Sequence, residues 1–324
     1  MRSSFKIIVY AILLSLLLNY IVYYGFTTNY TGDVFSEEGF KNQYNNSVYK
    51  FRILSKYFLY FIYEAIKSPN IPDSRLLILD SHASNSFYNS YFILNTFFTS
   101  LVSIILVLIL NNPLIKIAKN YKLLLIYSII SAICLTQFVV VPYDVSAYFF
   151  LLVFILMSLE YLIKSRIIYL IGMFFIIFIS ALNRETSALS ISYLISILFF
   201  KYGISKKIFY PVLLMILAYL IAYIGLRLYF QNNTIFMHIT FLSILLPKNL
   251  IGLLAWILLF ILSISLANHK KNKLLIIYFH ILSIPYIFSC FFTGLIFEMR
   301  LYIPLFLTSV ILALMDTDKI KNLN

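Results

Sequence analysis

Residues 144–207 read DVSAYFFLLVFILMSLEYLIKSRIIYLIGMFFIIFISALNRETSALSISYLISILFFKYGISKK, and this stretch decides the fold. Three apolar runs, 145–163, 167–182 and 187–200, follow one another with short links between them. The links alternate in chemistry: Lys164 and Arg166 separate the first two runs, Asn183-Arg184-Glu185-Thr186 joins the second to the third, and Lys201, Lys206 and Lys207 follow the third. A hydrocarbon core of ~30 Å calls for about 20 apolar residues of helix. The stretch therefore reads as successive membrane crossings with a basic side and a side of mixed charge.

The same alternation extends in both directions. Across 324 residues, 62% are hydrophobic, 11% are charged and the mean hydropathy is +0.94, which excludes a soluble domain with a solvated surface. The expected fold is an all-α polytopic membrane protein forming a single integral membrane domain over 1–324. Ten spans are predicted, at 7–26, 89–110, 123–141, 145–163, 167–182, 187–200, 208–230, 250–267, 274–294 and 301–315. The first run is long for a signal-peptide core and lacks a small-residue cleavage site, so it reads as a retained anchor. Cys134 and Cys290 both fall inside apolar segments, as small core residues and not as a disulfide or thiolate site.

The formal charge of +13 reflects topology. Its basic residues lie scattered between apolar runs, which excludes a nucleic-acid surface. With the N-terminus inside, the cytoplasmic segments hold fifteen lysines and arginines, from Arg2 and Lys6 to Lys319 and Lys321, whereas the short outer loops hold only Arg184, Lys248 and Arg300. Basic residues near span ends favour the cytoplasmic side, so both termini are expected there. The exception is the long outer segment 27–88, which carries six lysines and arginines and lies near the length where that rule lapses. Within it, residues 51–66 are short for an eleventh span and are interrupted by Lys56 and Glu64, and Phe51, Leu54, Phe58, Phe61 and Ile62 fall along one apolar stripe, the pattern of an interfacial helix.

Ionisable residues at spans are functional suspects, each weighed against a plainer reading. Glu160 stands four residues before Lys164, an ordinary helix pair. Arg227 lies close enough to a helix end to snorkel. His280 has no second ligand at metal spacing and reads as a hydrogen-bonded core histidine. The outer-face residues carry more weight. In Pro142-Tyr143-Asp144 a carboxylate opens a helix, where a cap is the plainer reading. Asn183-Arg184-Glu185-Thr186 places opposite charges in a very tight link, and Glu298-Met299-Arg300 brings a second acid and base to the same face. Arg184 and Arg300, with Arg52, are candidate anion ligands; Glu185 and Glu298 are candidates to orient their guanidinium forks. Asp33, in the first outer loop, joins Asp144 as a candidate catalytic carboxylate.

A first anchor helix, a long first outer loop with an acid near its start, an interfacial helix, a multi-span body and charged outer turns together resemble the GT-C class of membrane glycosyltransferases. The resemblance covers most of the chain in architecture and few residues in motif. It implies transfer of a sugar from a polyprenyl-phosphate carrier to a lipid or glycan acceptor on the extracytoplasmic face of a bacterial or archaeal plasma membrane. It further implies Asp33 as general base and a divalent cation as the one cofactor to consider. The outer loop departs from the Asp-x-Asp pattern, since Val34 and Phe35 follow Asp33, and the chain's Asp316-Thr317-Asp318 falls at the cytoplasmic end. A transporter or flippase of lipid-linked glycans, a polysaccharide polymerase or ligase, and a structural membrane subunit are the competing readings. Against the transporter stand only eight glycines, no internal repeat and peripheral charges.

Overall fold

A computed structural model describes residues 2–25, 36–46, 48–67, 86–230, 246–267, 269–293 and 296–323. The described residues form α-helices and short 3-10 turns with no β-strand; the one bridge joins Ile115 to Met315. In chain order the helices are α1 (Arg2–Gly25), α2 (Glu37–Asn46), α3 (Ile53–Lys67), α4 (Ser86–Leu110), α5 (Lys119–Leu135), α6 (Asp144–Lys164), α7 (Ile167–Asn183), α8 (Ala188–Tyr202), α9 (Lys206–Phe230), α10 (Pro247–Leu266), α11 (Lys270–Leu282), α12 (Ile284–Thr293), α13 (Ile303–Leu314) and α14 (Thr317–Asn322). The chain is a helical membrane protein. Among the described residues, six helical stretches are long and apolar enough to cross a bilayer: those of α1, α4, α5, α6, α9 and α10.

A helix lies at each of the ten expected spans, but not every one has a span's length. The 17 residues of α7, the 15 of α8 and the 12 of α13 fall short of the ~20 that a crossing takes. Helices α11 and α12 are halves of one apolar stretch, bent by 54°. Pro285 sits just past the break and cannot donate a backbone hydrogen bond, which accounts for the bend. By contrast α9 runs through Pro211 unbroken.

Helices α4 and α6 form the centre, 61% buried, while α9 and α10 are only 22% and 17% buried and present broad apolar faces outward. Helix α1 joins the centre through an antiparallel polar seam in which residues 15, 19 and 23 meet 103, 99 and 95. Ser15 and Ser103 share a hydrogen bond of 2.9 Å, Asn19 Nδ2 donates to Thr99 Oγ1 at 3.2 Å, and Asn95 Nδ2 donates to the Tyr23 hydroxyl at 2.5 Å. The i, i+4 spacing on both helices keeps the seam on facing sides. Each such bond contributes about 0.6 kcal/mol in a membrane interior.

Helix α3 covers most of residues 51–66 and packs on α4 and α7. Its bundle-facing row is Ser55, Leu59 and Tyr63, while Tyr57 and Phe61 are 70% and 76% exposed. The stripe read from the sequence therefore wraps around the helix. Phe58 packs against Phe98, but Phe61 points outward.

Contacts sort the helix ends into two sets. At one end Tyr24 reaches Asn89, Ser55 reaches Asn183, and Lys50 reaches the carbonyl of Phe230. At the other, the Lys116 amide donates to the Leu314 carbonyl at 2.7 Å and Lys271 pairs with Asp318 at 2.5 Å. There Lys164 pairs with Glu160 at 2.6 Å, and Glu160 also accepts from Asn112. Asn272 donates to three carbonyls at the end of α13.

Candidate functional site

The first end holds an ionic cluster assembled from three distant parts of the chain. Asp144 opens α6 and is fully buried, yet its side chain caps no helix amide. One carboxylate oxygen accepts from Arg184 Nη1 and the other from Arg300 Nη1, the latter at 2.7 Å. The cap reading of Asp144 gives way to an ion-pair hub, which the positive end of α6 also favours. Arg300 turns its remaining edge to Glu298, with Nε at 2.9 Å and Nη2 at 2.6 Å from Oε2. Asp144, Arg184, Glu298 and Arg300 are all at most 7% exposed.

Local structure fixes each member. Arg184 lies between α7 and the 3-10 turn Glu185–Ser187 in an extended conformation, φ −163° and ψ 145°. Neighbouring side chains on extended backbone point to opposite sides. Arg184 accordingly faces Asp144, while Glu185 faces Arg52 at 3.3 Å. The Arg52 guanidinium lies 4.0 Å from the centre of the Tyr143 ring and 4.9 Å from that of Tyr49, a stacked cation over paired rings. Asn183 ties three helices: its Oδ1 accepts from Ser55 at 2.6 Å and Ser146 at 3.0 Å, and its Nδ2 donates to the Tyr143 carbonyl at 3.1 Å. The 3-10 turn Met299–Leu301 is held by hydroxyls, Tyr148 donating to the Arg300 carbonyl at 2.8 Å and Tyr286 to the Leu301 carbonyl at 2.6 Å.

Six of the seven expected site residues are therefore brought together: Asp144, Arg184, Glu298 and Arg300 in one cluster, with Arg52 and Glu185 as a pair beside it. Asp33 lies outside the described residues. Three guanidiniums face three carboxylates, so the assembly is neutral and each arginine already has a partner. Arg227 differs. It stacks 3.3 Å from the Tyr223 ring centre and 4.7 Å from that of Phe51, donates to the Tyr223 carbonyl, and pairs with no carboxylate among the described residues.

Sequence reasoning missed the tyrosines that frame the cluster, because 27 tyrosines are spread through the chain and spacing does not distinguish these four. It also missed Gln137, fully buried in the 3-10 turn Thr136–Phe138 that packs against the Arg300 turn. Neither polar atom of its amide has a partner among the described residues. Arg184 Nε and Ser187 Oγ are likewise unpartnered.

Burial acts to raise the Glu185 carboxyl, but Arg52, a backbone amide and Arg184 together hold it below the usual glutamate value. A folded value below the unfolded one gives stability that is present above the unfolded pKa and lost as pH falls through the folded value. The stability gap between the parent and Glu185→Gln is expected to hold at neutral pH. It closes on acidification below about pH 4.3. A gap that ignores pH in thermal unfolding would mean the Arg52 pair contributes nothing.

No three His, Cys, Asp or Glu side chains gather into a metal-holding group among the described residues. The Asp316-Thr317-Asp318 pair is committed elsewhere, Asp316 to capping α14 through the Lys319 amide and Asp318 to Lys271. Beside it, at the lysine-bearing end, lies a cleft of about 230 Å³ lined by Lys116, His269, Asp316 and Asp318. His280 shares a hydrogen bond with the Ile276 carbonyl and meets Phe260 edge-on, and Cys134 and Cys290 are buried and free. In comparisons with known proteins, the chain matches no family model, no curated protein and no solved structure.

Proposed function

We propose that this protein transfers a sugar from a polyprenyl-phosphate carrier to an acceptor at the extracytoplasmic face of a membrane. In this reading the ten helical segments form the membrane body, with the lysine-bearing end in the cytoplasm and α3 at the outer interface. One observation carries it: acids and arginines from residues 144, 184 and 300 meet at the end opposite the Lys116, Lys164 and Lys271 contacts, beside a cation, Arg227, that forms no ion pair among the described residues.

The chemistry requires positive charge where a phosphate leaves. The Arg52–Glu185 contact is a single bond of 3.3 Å, and Glu185 is the most exposed carboxylate of the group at 30%. It is the pair that opens most readily, so Arg52 and Arg227 take the carrier phosphate while Arg184 and Arg300, pinned by Asp144, supply the field behind it. The acceptor oxygen attacks the anomeric carbon, the carbon–oxygen bond to phosphate breaks, and the proton passes to a carboxylate. With both Asp144 oxygens engaged, Glu185 once released, or Asp33, is the acceptor of that proton. No divalent cation is required by this scheme.

Purified protein given radiolabelled polyprenyl-phosphate sugars should consume at least one of them, releasing polyprenyl phosphate. Consumption of none sinks the proposal. The 54° break between α11 and α12 favours a second reading, a flippase, since transporters use interrupted helices; it is favoured if sealed vesicles move a labelled carrier across the bilayer without cleaving it. The orientation has its own check. Lys248→Cys should react with an impermeant maleimide on intact cells, and Lys273→Cys only after lysis; the reverse pattern inverts the protein.

A further inference from the structure

The Glu298–Arg300 turn is gripped from α10, a helix that packs mainly on α13 and leaves most of its surface outward. Helix α10 is the least buried of the six candidate spans, yet its first turns press directly on the segment leading into Glu298. A methyl group placed on Gly252 would stand 2.6 Å from the Phe297 Cα and 2.7 Å from the Ile296 carbonyl carbon, and nearer still to that carbonyl's oxygen. These are backbone atoms, so no rotamer change relieves the clash. One turn earlier the buried Asn249 Oδ1 accepts from the Phe297 amide at 3.3 Å, and the Tyr302 hydroxyl donates to the Ile296 carbonyl at 2.9 Å. Two residues on, Glu298 binds Arg300, which binds Asp144.

We propose that Gly252 and Asn249 are positioning residues that set the depth at which Arg300 meets Asp144. The proposal rests on the reading of that cluster as the working site, but its first test does not need catalysis. Met299, between Glu298 and Arg300, is 37% exposed, and a cysteine there reports the turn's position against a low background, Cys134 and Cys290 being buried.

In the Met299→Cys background, Gly252→Ala should quicken maleimide labelling severalfold, while Gly225→Ala, whose added methyl meets nothing within 4 Å, should leave it unchanged. Asn249→Ala should quicken it as well. Asn249→Asp should restore the parent rate, because it keeps the acceptor oxygen where a helix N-terminus favours negative charge. In the transfer assay Gly252→Ala should lower kcat by about 100-fold, the scale of a misplacement near 1 Å, with a smaller change in KM. Parent-like labelling in both Gly252→Ala and Asn249→Ala overturns the proposal; if Gly252→Ala does not accumulate, the Asn249 pair decides. A protein without transfer activity but with the labelling pattern described would remove the assigned reaction and keep the clamp.

Discussion

Replacing Asp144 with asparagine should lower the unfolding free energy by about 3–5 kcal/mol, the scale for stripping one partner from a buried ion pair. The reason is the hub geometry. Asp144 is fully buried and accepts from two guanidiniums that are themselves 5% and 8% exposed, so its loss leaves two dehydrated cations facing a neutral amide. The asparagine keeps the shape and one acceptor oxygen but sets an NH2 donor against the other guanidinium, so the charge and one hydrogen bond are lost together. Glu37→Gln, which breaks a surface pair with Lys41, makes the contrast, because water solvates both partners and the melting point should barely move. The comparison is thermal unfolding of the purified proteins in one detergent. If the Asp144→Asn protein melts with the parent, the buried network is not what holds that end together.

The helices were the most legible part of the sequence. Runs such as 208–230 and 89–110 are long and predominantly apolar, and they fold as α9 and α4 near the expected limits. Hydropathy does not see where backbone leaves the helix. The 3-10 turn at 299–301 trims α13 to Ile303–Leu314 from the expected 301–315, whereas α7 and α8 keep the already short lengths of the runs 167–182 and 187–200. Ten of α13's twelve residues are buried, which fits an internal helix as well as a span. Pro211 and Pro285 each offer a kink, since a proline in a helical run cannot donate its backbone hydrogen bond, but the chain bends beside Pro285 while α9 runs through Pro211 unbroken.

The candidate site was legible as a set of charges and illegible as a set of pairs. Two tight links bearing opposite charge, at 183–186 and 298–300, stood out because short loops leave little room for unused ions. Sequence adjacency suggested that Arg184 and Glu185 orient each other, but extended backbone at Arg184 sends the two to different partners. The Pro142-Tyr143-Asp144 tripeptide showed its carboxylate and hid its ring: Tyr143 stacks with Arg52, and nothing in the spacing says so. Gln137 lies inside the expected span 123–141 and, being uncharged, does not stand out among the ionisable residues.

The second large effect concerns Arg300. Arg300→Ala should reduce transfer by about 100-fold, because Arg300 is part of the fixed field behind the phosphate site of Arg52 and Arg227, while the protein still inserts in the membrane. Arg184→Ala should do the same. Their stability costs should differ. Losing Arg300 removes three hydrogen bonds, leaves Glu298 buried without its partner and leaves Asp144 with Arg184 alone; losing Arg184 leaves Asp144 and Glu298 still joined through Arg300. A drop in activity alone would not separate catalysis from unfolding, so the decisive variant is Arg300→Met with Glu298→Gln. It deletes the cation and neutralises the carboxylate it would strand, and removing both charges of a buried pair costs far less than removing one. That double variant should recover much of the melting temperature lost by Arg300→Ala and none of the transfer. Recovery of both would make Arg300 a structural strut. Normal transfer in both single alanine variants would end the case that these arginines serve a phosphate at all.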